Sequence, residues 1–126
     1  MPATSRTSHA RLLENLKTAM EAQDAAKAAS HYAEDALFLD ATARDGGKIR
    51  GREELQAAFR QMFAGPGCRF EVTSLFGCGG WAAGEWIWSG QKPDGSRFVL
   101  PGASIIQIRG GKIVRETIYY DSRASP

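Results

Sequence analysis

Two aspartates follow apolar segments in this sequence, and each could transfer protons. Asp40 ends the run Ala-Leu-Phe-Leu-Asp, and Asp121 ends the run Thr-Ile-Tyr-Tyr-Asp. A carboxylate beside an apolar wall loses hydration of its ionised form, which raises its pKa toward the range where a general base takes and returns protons. Aspartates at strand ends are also common as loop caps or solvated charges, so both interpretations stay open.

Aromatic and hydroxyl side chains could hold a small molecule beside these acids. The candidates for substrate contact are Tyr32, Phe38, Phe59, Phe63, Trp86, Trp88, Ser104 and Tyr119. Trp86 and Trp88 could stack on a flat ligand, although aromatic pairs in half-buried strands also serve structural packing. Phe59 and Phe63 belong to a helical stripe, so core packing is their alternative role.

The composition is that of one soluble domain without a polyanionic partner. The chain has 126 residues, 43% hydrophobic and 24% charged, which predicts a single core. We expect a flexible tail over residues 1–8 and one domain over residues 9–126. The 16 basic and 14 acidic residues are scattered and leave a net charge of +2, so nucleic acid is not an expected partner.

The cysteines and histidines predict no metal site. Cys68 and Cys78 lack the close spacing of metal ligands, and His9 and His31 offer no complementary cluster. Charged residues such as Arg11 interrupt the early apolar stretches, so neither a signal peptide nor a membrane span is predicted. We therefore expect a cytoplasmic protein with no cofactor and no membrane partner.

Three segments have the apolar spacing of amphipathic helices. The first is predicted after a cap at Ser8, and the second after a cap at Asp24, with Tyr32 on its apolar side. The third is predicted from about Gly51 to Phe63. The stripe of the first helix contains Leu12, Leu13, Leu16, Ala19 and Met20. Each stripe needs another layer of structure to cover it.

The rest of the chain is typical of strands separated by glycine-rich turns. Strands are predicted at 36–40, 70–75, 81–89, 97–109 and 112–121, with residues 41–50 as a loop. Two helices precede the first strand, and the later strands follow one another as an antiparallel meander. This order predicts an α+β fold with the helices on one face of the sheet.

A hairpin at Gly110-Gly111 predicts which side chains share the covered face. Both glycines accept the positive φ of a type I′ turn. Pairing Arg109 with Lys112 then sets Ser104 opposite Thr117 and Leu100 opposite Asp121, all on the pocket face. The same register sets Gly102 opposite Tyr119 and places Glu116 and Tyr120 on the other face. A single β-bulge would reverse every later assignment.

Three segments carry a family resemblance. They are His31-Tyr-Ala-Glu-Asp-Ala-Leu-Phe-Leu-Asp40, Ile49-Arg-Gly-Arg-Glu-Glu-Leu55 and Gly111-Lys-Ile-Val-Arg-Glu-Thr-Ile-Tyr-Tyr-Asp121. With the order of elements, they resemble the nuclear transport factor 2-like superfamily, in particular SnoaL-like domains. The resemblance implies a cone-shaped barrel, in which a curved antiparallel sheet packs against three N-terminal helices around a pocket. It also favours a homodimer.

Three catalytic branches of that superfamily resemble different parts of this chain. Asp40 matches the proton-shuttling base of ketosteroid isomerases, but Leu16 and Ser104 stand where that family has its oxyanion-hole tyrosine and aspartate. Asp121 matches the strand-end acid or base of polyketide cyclases and limonene epoxide hydrolases. The hydrolases also use an Arg-x-Asp pair on the middle strand, where this chain has Gly84-Glu-Trp-Ile-Trp-Ser89.

Two functions follow from this interpretation. The first is an acid/base enzyme of the isomerase, cyclase or epoxide-hydrolase kind, which acts on a small apolar molecule through Asp40 and Asp121. The second is a non-catalytic ligand-binding or assembly module, because no known catalytic set is complete.

We also expect a homodimer through the exposed sheet face, which would carry Ile105, Ile118 and Tyr120.

Overall fold

The computed structural model describes residues 2–43 and 47–124. The helices are α1 (Pro2–Glu21), α2 (Ala25–Ala29) and α3 (Arg52–Phe63). The strands are β1 (Tyr32–Asp40), β2 (Lys48–Arg50), β3 (Arg69–Cys78), β4 (Trp81–Gln91), β5 (Arg97–Arg109) and β6 (Lys112–Tyr120). A 3-10 turn, Ser122–Ala124, follows β6. These elements confirm the predicted α+β class.

Two helix boundaries differ from the prediction. Helix α1 begins at Pro2, so Ser8 lies inside the helix, and the flexibility of residues 1–8 stays a prediction. Proline has the φ of a first helical residue, which favours this earlier start. Helix α2 ends at Ala29, and Tyr32 begins β1 instead of continuing the helix. The predicted cap of α2 is confirmed, because Asp24 Oδ1 accepts a 3.0 Å hydrogen bond from the Lys27 amide.

The sheet is open and mixed. Its strand order is β2-β1-β6-β5-β4-β3, so β2 and β3 form its two edges and no closed barrel results. Strand β1 pairs with β6 in parallel, whereas the other neighbouring strands are antiparallel. The expectation of an entirely antiparallel sheet was therefore wrong at the β1–β6 pair. The predicted loop 41–50 also contains β2, which pairs with the end of β1.

The helices cover one face of this sheet. Leu12, Leu13 and Leu16 of α1 are buried there, as the helical stripe predicted. Helix α3 buries Leu55 and Phe59 on the same side of the molecule. Burying a leucine or phenylalanine side chain contributes about 1.5–3 kcal/mol, so these stripes hold the helices over the concave face.

The Gly110-Gly111 hairpin forms as predicted, but the strands leave the predicted register soon afterwards. The two glycines have φ of 60° and 74°, and Arg109 pairs with Lys112. Ile108 then pairs with Ile113, whereas Gln107 pairs with Arg115. Val114 is therefore the extra residue of a β-bulge, which leaves one residue of β6 without a partner on β5.

This bulge exchanges the two faces of β6 relative to the prediction. Ser104 pairs with Ile118 and Gly102 pairs with Tyr120, instead of Thr117 and Tyr119. Glu116, Ile118 and Tyr120 consequently face the helices. Strand β4 pairs with β5 so that Trp86 lies opposite Gly102 and Trp88 opposite Leu100.

Candidate functional site

A cavity of about 240 Å³ lies between the concave face of the sheet and helices α1 and α3. Its walls are mostly aliphatic and aromatic. The apolar lining residues are Leu16, Met20, Phe38, Phe59, Met62, Phe70, Val72, Leu75, Trp86, Trp88, Leu100, Ile106 and Ile118. The polar lining residues are Lys17, Tyr32, Asp40, Ser104, Glu116 and Tyr120. A small apolar molecule would be desolvated here, beside a few directed polar groups.

Most of the predicted site residues lie on this lining. They are Tyr32, Phe38, Asp40, Phe59, Trp86, Trp88 and Ser104. Their roles in binding or catalysis stay predictions. Phe63, Tyr119 and Asp121 are not on the lining. Phe63 lies behind the wall and stacks on Phe59, with ring centroids 6.0 Å apart.

The predicted positions of Tyr119 and Asp121 on the pocket face were wrong. The bulge turns Tyr119 to the outer face of the sheet, where its side chain is exposed. Asp121 lies beyond the end of β6, and its carboxylate accepts bonds of 2.8 and 3.0 Å from the Arg123 guanidinium. These bonds, with that from the Arg123 amide, lower the pKa of Asp121 to about 2. Asp121 is a solvent-exposed, paired carboxylate.

Glu116 is the acid that the sequence interpretation missed. Its side chain is buried at the cavity, where the Tyr32 hydroxyl donates a short hydrogen bond to Oε1. Ser104 also donates to this carboxyl group. Burial raises the pKa of Glu116, and the two hydrogen bonds oppose this shift without cancelling it. A carboxyl group in this state can keep a proton at a pH where an exposed glutamate has lost it.

A chain of hydrogen bonds fixes the surroundings of Glu116. The Trp86 indole N–H donates to Ser104 Oγ over 2.9 Å, which leaves the serine hydroxyl proton for Glu116. Burial and the charge of Glu116 raise the pKa of Tyr32 well above its usual value. The phenol therefore remains a donor throughout the physiological pH range. This network holds the Glu116 carboxyl group in one orientation at the cavity.

Asp40 is oriented by a second set of donors. The Tyr120 hydroxyl donates to Oδ2 over 2.6 Å. The Thr42 amide and hydroxyl donate to Oδ1 over 3.0 and 2.8 Å. Asp40 is half-buried, whereas Glu116 is buried, so the two carboxyl groups differ in their access to water.

The parallel pairing of β1 with β6 places the two acids on the same face of adjacent strands. Phe38 pairs with Glu116, and Asp40 pairs with Ile118. Asp40 therefore lies one inward-facing position beyond Phe38, the residue of β1 that is opposite Glu116. Strands β1 and β6 are about 4.8 Å apart. Two carboxyl groups in unequal environments can divide the work of proton transfer, with one as the base and the other as the acid.

A metal-binding cluster is not found in the part of the chain that the structure describes. Within residues 2–43 and 47–124, no three His, Cys, Asp or Glu side chains come close enough to hold an ion. No helix within these described residues is long and apolar enough to cross a membrane.

One family matches most of the chain. The model of the SnoaL-like domain family matches residues 13–116. No curated protein matches the sequence.

Solved structures with the same fold span nearly the whole chain. A putative polyketide cyclase from Xanthomonas campestris pv. campestris has a TM-score of 0.76 and 20% identity, and the match covers 94% of each chain. An LEH-like epoxide hydrolase from M. tuberculosis has a TM-score of 0.75 and 16% identity, covering 94% of this chain and 86% of that one.

A third structure is similar to the same degree. It is a hypothetical protein with a ketosteroid isomerase-like fold from Catenulispora acidiphila, in complex with trimethylamine. Its TM-score is 0.75 at 18% identity, and the match covers 90% of this chain and 87% of that one. At these identities the three structures establish the fold of this chain and leave its reaction open.

Proposed function

This chain belongs to the SnoaL-like domain family, and on that premise we propose that it is an acid/base enzyme acting on a small, largely apolar molecule. The proposal rests on one observation. A buried glutamate, Glu116, lies on the wall of an otherwise apolar cavity, and burial raises its pKa. Perturbed carboxyl groups in clefts are concentrated at catalytic sites, because proton transfer needs a group that holds a proton near the working pH.

In the proposed reaction, Asp40 is the base. Its carboxylate removes a proton from a carbon atom next to a carbonyl group of the substrate. The three hydrogen bonds that Asp40 accepts fix its orientation before the substrate binds. Orienting the base in advance removes part of the entropic cost of the transition state.

Glu116 is the acid in the same reaction. Its protonated carboxyl group donates a hydrogen bond to the carbonyl oxygen as negative charge develops there. Such a bond is stronger in an apolar site than in water, because no bulk solvent screens it. The proton on Asp40 then returns to another carbon of the substrate, which gives an isomer. Alternatively, the enolate carbon attacks a second carbonyl group and closes a ring, and the proton on Asp40 passes to the alkoxide oxygen that this attack forms.

The residues that β4 contributes to the cavity wall favour a reaction at a carbonyl group over epoxide hydrolysis. This strand contributes Gly84, Trp86 and Trp88 to the cavity. None of these side chains carries a charge that would orient a nucleophilic water. Glu85, between them, lies on the outer face and accepts a 2.8 Å hydrogen bond from Ser74. An isomerase or cyclase is therefore preferred here to an epoxide hydrolase.

The experiment is a turnover assay on a panel of activated ketones and poly-β-ketones, with epoxides as a third class. We expect Asp40→Asn and Glu116→Gln each to lower kcat/KM at least about 100-fold, the usual contribution of a general acid or base. Asp121→Asn is the matched control and should stay within about twofold. Full activity in both Asp40→Asn and Glu116→Gln would refute the proposed roles.

A non-catalytic binding module is the second candidate. Its support is that several polar groups of the cavity are bonded to one another, as in the Trp86–Ser104 and Tyr32–Glu116 pairs. The Catenulispora protein, which has a ketosteroid isomerase-like fold, was crystallised in complex with a small molecule, trimethylamine. Native mass spectrometry separates the candidates. A ligand that stays bound and chemically unchanged over long incubation favours binding.

We also propose a homodimer through the outer sheet face. Val99, Ile105 and Tyr119 are exposed there, at 53%, 44% and 48% of their surface. Ile118 and Tyr120, predicted on this face, line the cavity instead. A self-complementary apolar surface is suited to a second copy related by twofold symmetry.

Light scattering at micromolar concentration should give twice the mass of one chain for wild type. The variant Ile105→Lys should give the mass of a single chain. A monomeric wild type would refute the dimer.

A further inference from the structure

Lys17 is a cationic side chain on a cavity wall, without an acidic partner among the described residues. It lies on α1 between Leu16 and Glu21, and it is half-buried. The ion pairs of the described chain are Arg69–Glu71 and Arg123–Asp121, so Lys17 takes part in neither. Glu21 is one helical turn further along, the usual position for a partner, but it accepts a 3.0 Å hydrogen bond from the Val72 amide.

Three other side-chain donors of the cavity are already engaged. Tyr32 donates to Glu116, Tyr120 donates to Asp40, and Trp86 donates to Ser104. The indole N–H of Trp88 is buried without a hydrogen-bond partner in the described part of the chain, so it is a neutral donor that is also open to a ligand. The ammonium group of Lys17 therefore supplies the positive charge that these lining residues offer to a ligand.

The cationic and the acidic side chains of the cavity lie on different walls. Lys17 projects from α1, which contacts β3 through the bond between Glu21 and Val72. Asp40 and Glu116 lie on β1 and β6, and strands β4 and β5 separate β6 from β3. Three strand spacings of about 4.8 Å correspond to roughly 14 Å along the sheet. Apolar side chains of β4 and β5 line the cavity between these two walls.

We propose that Lys17 selects a substrate with an apolar body and an acidic group, such as a carboxylate, at one end. The acidic group binds the ammonium of Lys17, and the apolar body lies against the tryptophans of β4. The acidic end avoids the Asp40 carboxylate, because like charges repel in a cavity of low dielectric. The other end of the substrate therefore points at the two carboxyl groups. This assignment of substrate class rests on the proposed function.

Two fluorescent probes of nearly the same shape test this inference. The anion 8-anilinonaphthalene-1-sulfonate carries an acidic group, and N-phenyl-1-naphthylamine is the same skeleton without it. Both are titrated into wild type, Lys17→Met and Lys17→Arg. The variant Lys17→Met keeps the apolar stem and loses the charge, and Lys17→Arg keeps the charge. Lys27→Met, at an exposed position on α2, controls for the loss of one positive charge anywhere on the protein.

We expect Lys17→Met to weaken binding of the sulfonate about tenfold, which is the effect of losing one charge-assisted contact. Binding of the neutral probe should change less than twofold. Lys17→Arg and Lys27→Met should bind both probes as wild type does. Equal losses for the two probes, or unchanged sulfonate binding in Lys17→Met, would overturn the inference. Tighter binding of a naphthyl trimethylammonium salt than of the sulfonate by wild type would overturn it as well.

The probe titrations are independent of turnover. If Glu116→Gln retains full activity while Lys17→Met loses sulfonate binding selectively, the acid/base mechanism fails and the selection of an acidic ligand stands. If Glu116→Gln is inactive and Lys17→Met binds both probes normally, the mechanism stands and the substrate class is wrong.

Discussion

Two acids at the C-terminal end of the chain have opposite environments. Glu116 lies within β6, buried against an apolar cavity, and burial raises its pKa. Asp121 follows the last residue of β6, exposed and paired with Arg123, and its pKa falls to about 2. Five positions in sequence separate a group suited to hold a proton from one that stays ionised. The position on the backbone, and not the residue type, therefore determines which of the two acids can hold a proton.

The largest expected effect comes from moving β6 by one residue. Deleting Thr117 would turn Ile118 and Tyr120 to the outer face and would remove the Tyr120–Asp40 hydrogen bond. We expect this deletion to abolish folding or turnover, because a one-residue slip exchanges the two faces of a strand. Expression, circular dichroism and the turnover assay measure the result.

Deletion of Val114 is the matched control. Val114 is the bulged residue, so its removal leaves Gln107 opposite Arg115 and keeps Glu116 on the inner face. This variant should fold and keep its activity within about tenfold, whereas the Thr117 deletion should not. Equal behaviour of the two deletions would show that the bulge does not set the faces of β6.

A second effect concerns Trp86, whose indole belongs to the hydrogen-bond network around Glu116. A Cβ atom on Gly102 would overlap the Trp86 ring, which is held by its bond to Ser104. Gly102→Ala should therefore displace the indole and lower the free energy of unfolding by about 1–3 kcal/mol, the usual cost of overpacking. Urea denaturation measures the change.

Gly65→Ala is the control for this substitution. The nearest atom to its added Cβ would be the Met62 carbonyl oxygen at 3.8 Å, an ordinary contact. We expect a change within about 0.5 kcal/mol, as for surface substitutions that break no contact. If Gly102→Ala were as stable as Gly65→Ala, the Trp86 ring would not be fixed where the structure places it.

The smallest effect is a difference in pH dependence between the two acids. Because the folded-state pKa of Glu116 is raised, its contribution to stability is present below the unfolded-state pKa and is lost as pH rises through the folded-state pKa. The stability of wild type relative to Glu116→Gln should therefore fall as the pH rises above 4.5, the ordinary pKa of glutamate. Urea denaturation at several pH values checks this.

Asp121 should show the opposite sign. Its folded-state pKa is lowered from 3.8 to about 2, so its contribution is present above pH 3.8 and is lost as pH falls toward 2. The stability of wild type relative to Asp121→Asn should change only in that acidic range, and only slightly, because solvent screens an exposed pair. The same sign of pH dependence for the two variants would contradict the comparison.

The periodic features of the sequence predicted the α+β class and the helices over one face of the sheet. The stripe of Leu12, Leu13 and Leu16 predicted a helix over the sheet, and Gly110-Gly111 predicted the last hairpin. Both signals are local, since they depend on spacing or on backbone freedom within a few residues. The parallel pairing of β1 with β6 has no local signal, because it joins distant segments.

The candidate site was predicted only in part, for a physical reason. Asp40, Trp86 and Ser104 lie on strands for which the alternation of inward-facing and outward-facing residues was predicted correctly. Glu116 was assigned to the wrong face, because a single extra residue at Val114 reverses the alternation that follows it. A carboxyl group in the middle of an otherwise strand-like run was the one available signal, since a charged residue facing a core is costly unless it serves a function.

A carbon-13 NMR titration of the side-chain carboxyl groups tests the central claim most directly, with Glu116→Gln and Asp121→Asn used to assign the two signals. We expect Glu116 to titrate above 4.5, the ordinary value for glutamate, and Asp121 to titrate below 3.8, near 2. A Glu116 signal that titrates at or below 4.5 would contradict the account, because the carboxyl group would then be neither desolvated nor able to hold a proton for catalysis.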